Sequence, residues 1–178
     1  MFDENRKDND SIARTYYLTF YYTYLIEAIS NVYGKDKGQL LLLLFNDKKI
    51  DEDEVSYVNT LPFMYKHEVI ERALMDIFQL DFSDLSKKIQ KSHRLQRLQD
   101  KITDVNKLNI FEKKRSLTLR ISSDIEKESQ TFIKQHKLKP QNIVELSIDY
   151  FLMCIAEQDF HFIYLLFAHK VELSPQKL

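Results

Sequence analysis

The chain has 178 residues, an apolar share of 44% and a net charge of −1, so it fits one domain or two small ones. Two glycines and three prolines favour a mainly helical protein and exclude a glycine-rich phosphate loop. The single cysteine, Cys154, excludes an intramolecular disulfide and fits a core thiol in an apolar run.

The first predicted element is a helix over residues 12–33, closed by Gly34 as a C-terminal cap. Its apolar residues recur at intervals of three and four: Tyr17, Tyr21, Tyr24, Leu25, Ala28, Ile29 and Val32. The tyrosines would also fit a strand, but the spacing favours the helix. Residues 40–45 are a continuous apolar run, either a buried strand or a buried helical turn.

Helices are predicted for most of the next sixty residues. The acidic run 51–54 is typical of a helix N-terminus, where negative charge is favourable. Residues 65–80 carry one apolar face, after Pro62. Residues 83–105 form one long polar helix, which could be a spacer, a coiled-coil arm or a helix that touches phosphates.

Residues 116–121 alternate strictly between apolar and polar side chains, as a half-buried strand does. The apolar face carries Leu117, Leu119 and Ile121, and the polar face carries Ser116, Thr118 and Arg120. Such a short strand must pair with another strand and lie on helices. Two small hydroxyls and one arginine make a surface suited to reading base edges.

Two helices are predicted after the strand. Ser123 and Glu126 match a capping box that opens the first helix, which ends near His136. Pro140 suits the first position of the second helix, over about residues 142–156, and residues 160–167 extend it or form another.

Charge is unevenly distributed along the chain. Residues 81–140 hold 15 Lys and Arg against 8 Asp and Glu, whereas residues 1–80 hold 9 against 14 and residues 141–178 hold 2 against 5. A basic segment between acidic flanks is a plausible footprint for a polyanion.

Strand, capped helix, turn and apolar helix over residues 115–156 resemble the ribbon-helix-helix (Arc/MetJ-type) DNA-binding family. The resemblance implies that two chains pair their strands into a ribbon that enters the major groove. Base-reading residues would be Ser116, Thr118 and Arg120, and phosphate-contacting residues Lys113, Lys114, Arg115, Lys139, Gln141 and Asn142. Pro140 departs from the family pattern because it has no N–H for a phosphate.

The predicted organisation is a helical N-terminal domain (residues 1–82), a helical linker (83–112), the ribbon-helix-helix module (113–157) and a C-terminal helix (158–178). Residues 67–78 also resemble a second helix of the same family. If residues 40–45 were its strand, the N-terminal domain would be a degenerate second module that pairs internally with the first.

These observations predict a dimeric, sequence-specific protein that binds double-stranded DNA, as a transcriptional repressor or a plasmid maintenance or transfer regulator. The alternatives are an interaction or structural protein whose ribbon only dimerises, and the antitoxin of a toxin–antitoxin pair. The N-terminal domain would bind a partner protein. We expect no catalytic activity, because no serine–histidine–acid, paired-carboxylate or phosphate-loop arrangement stands out. We expect no cofactor and no metal site, since the spacing of Cys154, His161 and His169 matches no zinc motif.

A cytoplasmic location is expected, with no membrane partner. The charged N-terminus lacks the apolar core of a signal peptide. Residues 40–45 are too few to span a bilayer, and residues 150–167 contain Glu157, Asp159 and His161.

Overall fold

Helices dominate the computed structural model, which describes residues 10–45, 52–106 and 114–168. The elements are, in order, β1 (Ser11–Thr19), α1 (Phe20–Tyr33), α2 (Lys37–Phe45), α3 (Glu52–Thr60), α4 (Lys66–Phe78), α5 (Phe82–Lys91), α6 (His93–Asn106), β2 (Lys114–Ser122), α7 (Ser123–His136), α8 (Pro140–Gln158) and α9 (Phe160–Ala168). The prediction of a mainly helical protein is confirmed, and the two strands form one small antiparallel sheet.

The sheet is a ribbon made within one chain. Strand β1 pairs with β2 along its whole length, from Ser11 opposite Ser122 to Thr19 opposite Lys114. The predicted strand is therefore present, but its predicted pairing between two chains is wrong. The partner strand comes from the beginning of the same chain, so the backbone hydrogen-bonding groups along that edge of β2 are already paired with β1.

Strand β1 also corrects the helix predicted over residues 12–33, which begins only at Phe20. Tyr16 and Leu18 are buried and Tyr17 between them is exposed, which is the two-residue period of a strand. Aromatic and β-branched residues favour that extended backbone.

The described chain contains two matching halves around the ribbon. Strand β1 and helix α1 have the same lengths, nine and fourteen residues, as β2 and α7. Thr15 and Thr118, opposite each other at the middle of the ribbon, are 103 positions apart, and this shift brings both pairs of elements into register. Helices α4 and α8 complete the two halves and pack against each other. The buried pair Val69 and Ile70 of α4 corresponds to the buried pair Ile143 and Val144 of α8.

Each half holds the end of the other half's strand. Glu71 of α4 accepts a hydrogen bond from the Ser122 N–H at 2.6 Å, and Glu145 of α8 accepts one from the Thr19 N–H. Thr19 and Ser122 are the N-cap residues of α1 and α7. Because helix N-termini leave amides without intrahelical partners, the carboxylates satisfy donors that would otherwise be unpaired.

The predicted end of α7 at His136 and the position of Pro140 as the first residue of α8 are confirmed. The predicted capping box of Ser123 and Glu126 is wrong, because the N-cap is Ser122, whose Oγ accepts from the Ile125 N–H, and Ile125 at the third helical position cannot complete a capping box. Glu126 is therefore free to pair with Arg14 of β1, at 2.6 Å between Oε1 and Nε.

One further prediction is corrected, one pair of alternatives is decided, and one prediction is confirmed. The single helix over residues 83–105 is two helices, because Ser92 has an extended backbone and its Oγ caps α6 by accepting from the Leu95 N–H. Residues 40–45 belong to α2, so of the two alternatives for this run the structure has the helix and not the strand. Helix α3 has the predicted acidic first turn.

Of the two alternatives for residues 160–167, the structure has the further helix, α9, which starts where Asp159 Oδ1 accepts from the Phe162 N–H. The part of the chain that the structure describes contains no helix with both the length and the apolar character needed to cross a membrane.

Candidate nucleic-acid interface

The ribbon turns one of its two faces to solvent. We call this the outer face, and its members alternate along both strands with residues that pack on the helices. It consists of Ser11, Ala13, Thr15 and Tyr17 of β1 and of Lys114, Ser116, Thr118, Arg120 and Ser122 of β2. The three predicted base-reading residues of β2 are thus brought together on one exposed surface.

The opposite face fixes the ribbon on the helical layer. Tyr16, Leu18 and Ile121 are buried there, and Leu117 and Leu119 are half-buried against the same core. At the centre of the outer face Thr15 Oγ1 and Thr118 Oγ1 share a hydrogen bond of 2.8 Å. The outer side chains are therefore presented by a paired, packed backbone rather than by a loop.

The outer face is positive and carries no carboxylate in either strand. Lys114 lies opposite Thr19 at one end of the ribbon, and Arg120 lies opposite Ala13 toward the other end. A surface with this composition attracts a polyanion and can donate hydrogen bonds to it.

Two other strand arginines are engaged by the protein itself. Arg14 pairs with the buried carboxylate of Glu126. Arg115, predicted to contact phosphates, lies over the Phe20 ring with 4.3 Å between its guanidinium carbon and the ring centroid. It remains exposed, but it is on the packed side of the strand and not on the outer face.

The remaining predicted phosphate contacts are divided between two places. Lys114 lies on the outer face, whereas Lys113 lies outside the described residues. Lys139, Gln141 and Asn142 lie at the start of α8, where Lys139 and Asn142 are exposed. The Asn142 N–H donates to the Lys139 carbonyl oxygen at 2.9 Å, and Pro140 has no N–H, which reduces the amides available to a phosphate.

Sequence reasoning missed the half of the outer face that β1 contributes. Tyr17 is its most prominent member, with 63% of its surface exposed. The signal is an internal repeat, because Thr15, Leu18 and Thr19 recur as Thr118, Ile121 and Ser122. Comparing the chain with itself at a shift of 103 positions would have placed Tyr17 beside the predicted set.

The most perturbed carboxyl group among the described residues lies in the helical layer. The pKa of Asp149 is raised to about 6, mainly by burial and also by the nearby charge of Glu145, although hydrogen bonds from Tyr22 and Gln99 oppose the shift. The Tyr22 hydroxyl donates to Asp149 Oδ2 at 2.8 Å and Gln99 Nε2 to Oδ1 at 3.3 Å. Both oxygens are thus used in joining α1, α6 and α8, which is a structural role.

Other surfaces of the described residues offer less chemistry. An open groove of about 550 Å³ between α4 and α7 is lined by Met75, Phe78, Gln79, Lys127, Glu128, Thr131, Phe132 and Gln135. Cys154 is half-buried, and burial raises the pKa of its thiol, which disfavours the reactive thiolate. Within residues 10–45, 52–106 and 114–168, no three His, Cys, Asp or Glu side chains are grouped to hold a metal.

The outer face is therefore the candidate site that the described geometry favours most. Comparisons of the chain with protein-family models, with curated proteins and with solved structures find no match.

Proposed function

We propose that the chain binds double-stranded DNA in a sequence-specific way by placing the outer face of its ribbon in the major groove. The observation that carries the proposal is a two-stranded ribbon, packed on helices, whose exposed side is free of carboxylates and carries Lys114 and Arg120. The major groove is wide enough to admit a two-stranded ribbon. Two strand–helix–helix halves around that ribbon support the resemblance to ribbon-helix-helix proteins, with both halves in one chain.

Each outer side chain has a defined role in this proposal. Arg120 donates two hydrogen bonds to O6 and N7 of guanine, and Ser116 and Thr118 bond to base edges. Lys114 neutralises phosphates together with Lys139 at the start of α8. The functional class remains that of a transcriptional repressor or a plasmid maintenance or transfer regulator, acting in the cytoplasm.

The experiment measures the affinity of the purified chain for labelled duplexes enriched from a random pool. We expect Arg120→Ala to weaken binding to the enriched site by about 1–3 kcal/mol, roughly 5- to 150-fold, because one bidentate base contact is lost. Arg97→Ala is the matched control, since Arg97 is an exposed arginine on α6. Equal affinities of both variants and the parent chain, or no enrichment at all, would reject the proposal.

A protein-binding function is the second candidate, favoured by an aromatic cluster at the start of α4. Phe63 and Tyr65 are 57% and 59% exposed, and their rings contact each other edge to face while Tyr65 stacks on His67. Exposed aromatic side chains are enriched where proteins meet. This candidate expects Phe63→Ala with Tyr65→Ala to abolish a protein complex and expects Arg120→Ala to leave it unchanged.

A further inference from the structure

The two strands of the ribbon are unlike each other on the outer face. This matters because the centre of the ribbon, at Thr15 and Thr118, relates each β1 position to one β2 position. Tyr17 stands where β2 has Arg120, and Ala13 stands where β2 has Ser116. Two identical chains would place the same side chain at both related positions, but here the positions differ in charge and hydrogen-bonding capacity.

We infer that one copy of the chain reads a DNA site without dyad symmetry, in a single orientation. The inference rests on the proposed function and adds the class of DNA sequence that the outer face recognises. It follows from a ribbon closed within the chain, because no second copy is needed to supply the other strand.

The two ends of the outer face differ in what they recognise. Toward one end Arg120 lies opposite Ala13, and toward the other Tyr17 lies opposite Ser116. Arginine selects the paired acceptors of guanine, whereas apolar and aromatic side chains favour the methyl group of thymine. The recognised sequence therefore has a guanine contact on one side of its centre and none at the mirrored base pair.

The helices beside the ribbon carry the same asymmetry. The first turn of α8 has no acidic residue and follows Lys139, and α8 reaches the Thr19 end of β1 through Glu145, near Lys114. The first turn of α4 contains Glu68, whose Oε2 accepts from the Tyr65 N–H at 2.7 Å. A carboxylate at that helix start repels phosphate, so backbone contacts are also unequal at the two ends.

The test is a selection of random duplexes with the intact chain, followed by a titration that counts chains per bound duplex. We expect one motif without dyad symmetry and one chain per motif. Replacing one side of the motif by the inverted copy of the other should weaken binding about tenfold or more, because mirrored base pairs become mismatches. A palindromic motif bound by two chains would overturn this inference while leaving the proposed function intact, whereas no enriched motif would overturn both.

A matched pair of variants tests the assignment to the outer face. Ala13→Ser with Tyr17→Arg gives β1 the residues that β2 has at the two related positions beside the centre, and all four of these positions are exposed. We expect selection with this double variant to return a palindromic motif that contains the former arginine-side sequence on both sides. Ser116→Ala with Arg120→Tyr should return the opposite palindrome. Melting temperatures of the two variants check that both fold, and an unchanged motif in both would refute the inference.

Discussion

Lys137 adopts a backbone conformation that its side chain disfavours. It ends α7 with φ 54° and ψ 41°, in the left-handed region, and it is the single non-glycine residue with positive φ among the described residues. The matching position of the other half is Gly34, whose φ of −86° is right-handed, so the left-handed backbone occurs at the lysine and not at the glycine. The side chain of Lys137 therefore costs free energy that a glycine would not.

We expect Lys137→Gly to raise the free energy of unfolding by about 1 kcal/mol, because glycine adopts left-handed backbone without steric cost. Lys134→Gly provides the control in the same helix, with a right-handed backbone, and should lower the free energy by up to about 1 kcal/mol. Urea unfolding curves measure both. A loss of stability in Lys137→Gly would contradict the left-handed cap.

At the scale of elements, local pattern was sufficient for β2, α4, α7 and α8, because each has one clear period and its own start or stop signal. Local pattern failed for β1 because its Tyr17 continues, by chance, the helical spacing of Tyr21 and Tyr24 in α1. The buried pair Tyr16 and Leu18 has the correct period, but it is too short to prevail over a longer helical match.

The same limit explains why half of the candidate site was predicted. Alternation in β2 alone places Ser116, Thr118 and Arg120 on one face, whichever strand pairs with it. The partner strand is set by nine residue pairs such as Thr15 and Thr118, which are 103 positions apart and so lie in no local window. Reading β2 as a strand that needs another chain was a consequence of that missing contact.

Helices α1, α6 and α8 meet at Asp149, and their junction makes stability depend on pH. The pKa of Asp149 in the folded protein, about 6, is above the value of 3.8 for an ordinary aspartate. The folded state therefore binds the proton more tightly than the unfolded state does. The stability that protonation provides is fully present below about pH 4 and is lost as pH rises through 6.

We expect the parent chain to lose about 2 kcal/mol of unfolding free energy through Asp149 as the pH rises from 4 to 7. In Asp149→Asn this loss should be absent. Tyr22→Phe is the informative comparison. It removes a hydrogen bond that lowers the pKa of Asp149, so the loss of stability should be complete only at a higher pH. Urea unfolding at half-unit intervals of pH measures both effects. A pH dependence of Asp149→Asn identical to that of the parent chain would contradict this account of the junction.

At the scale of the whole molecule, closure of the ribbon within one chain is the property on which the other conclusions depend. Thr15 and Thr118 face each other directly, so cysteines at these two positions should form a disulfide. Placing Thr15→Cys and Thr118→Cys in a Cys154→Ala background leaves these two thiols as the reactive pair, since Cys154 is the native cysteine.

We expect the oxidised double variant to run on a non-reducing gel as a linked monomer that migrates faster than its reduced form. Because the bond closes a loop of about 100 residues, it should raise the free energy of unfolding by about 4–5 kcal/mol. Single-cysteine variants control for linkage between chains. If the ribbon formed between two chains, the double variant would instead give a covalent dimer at low protein concentration. In that case one copy of the chain could not present both strands of the outer face to DNA.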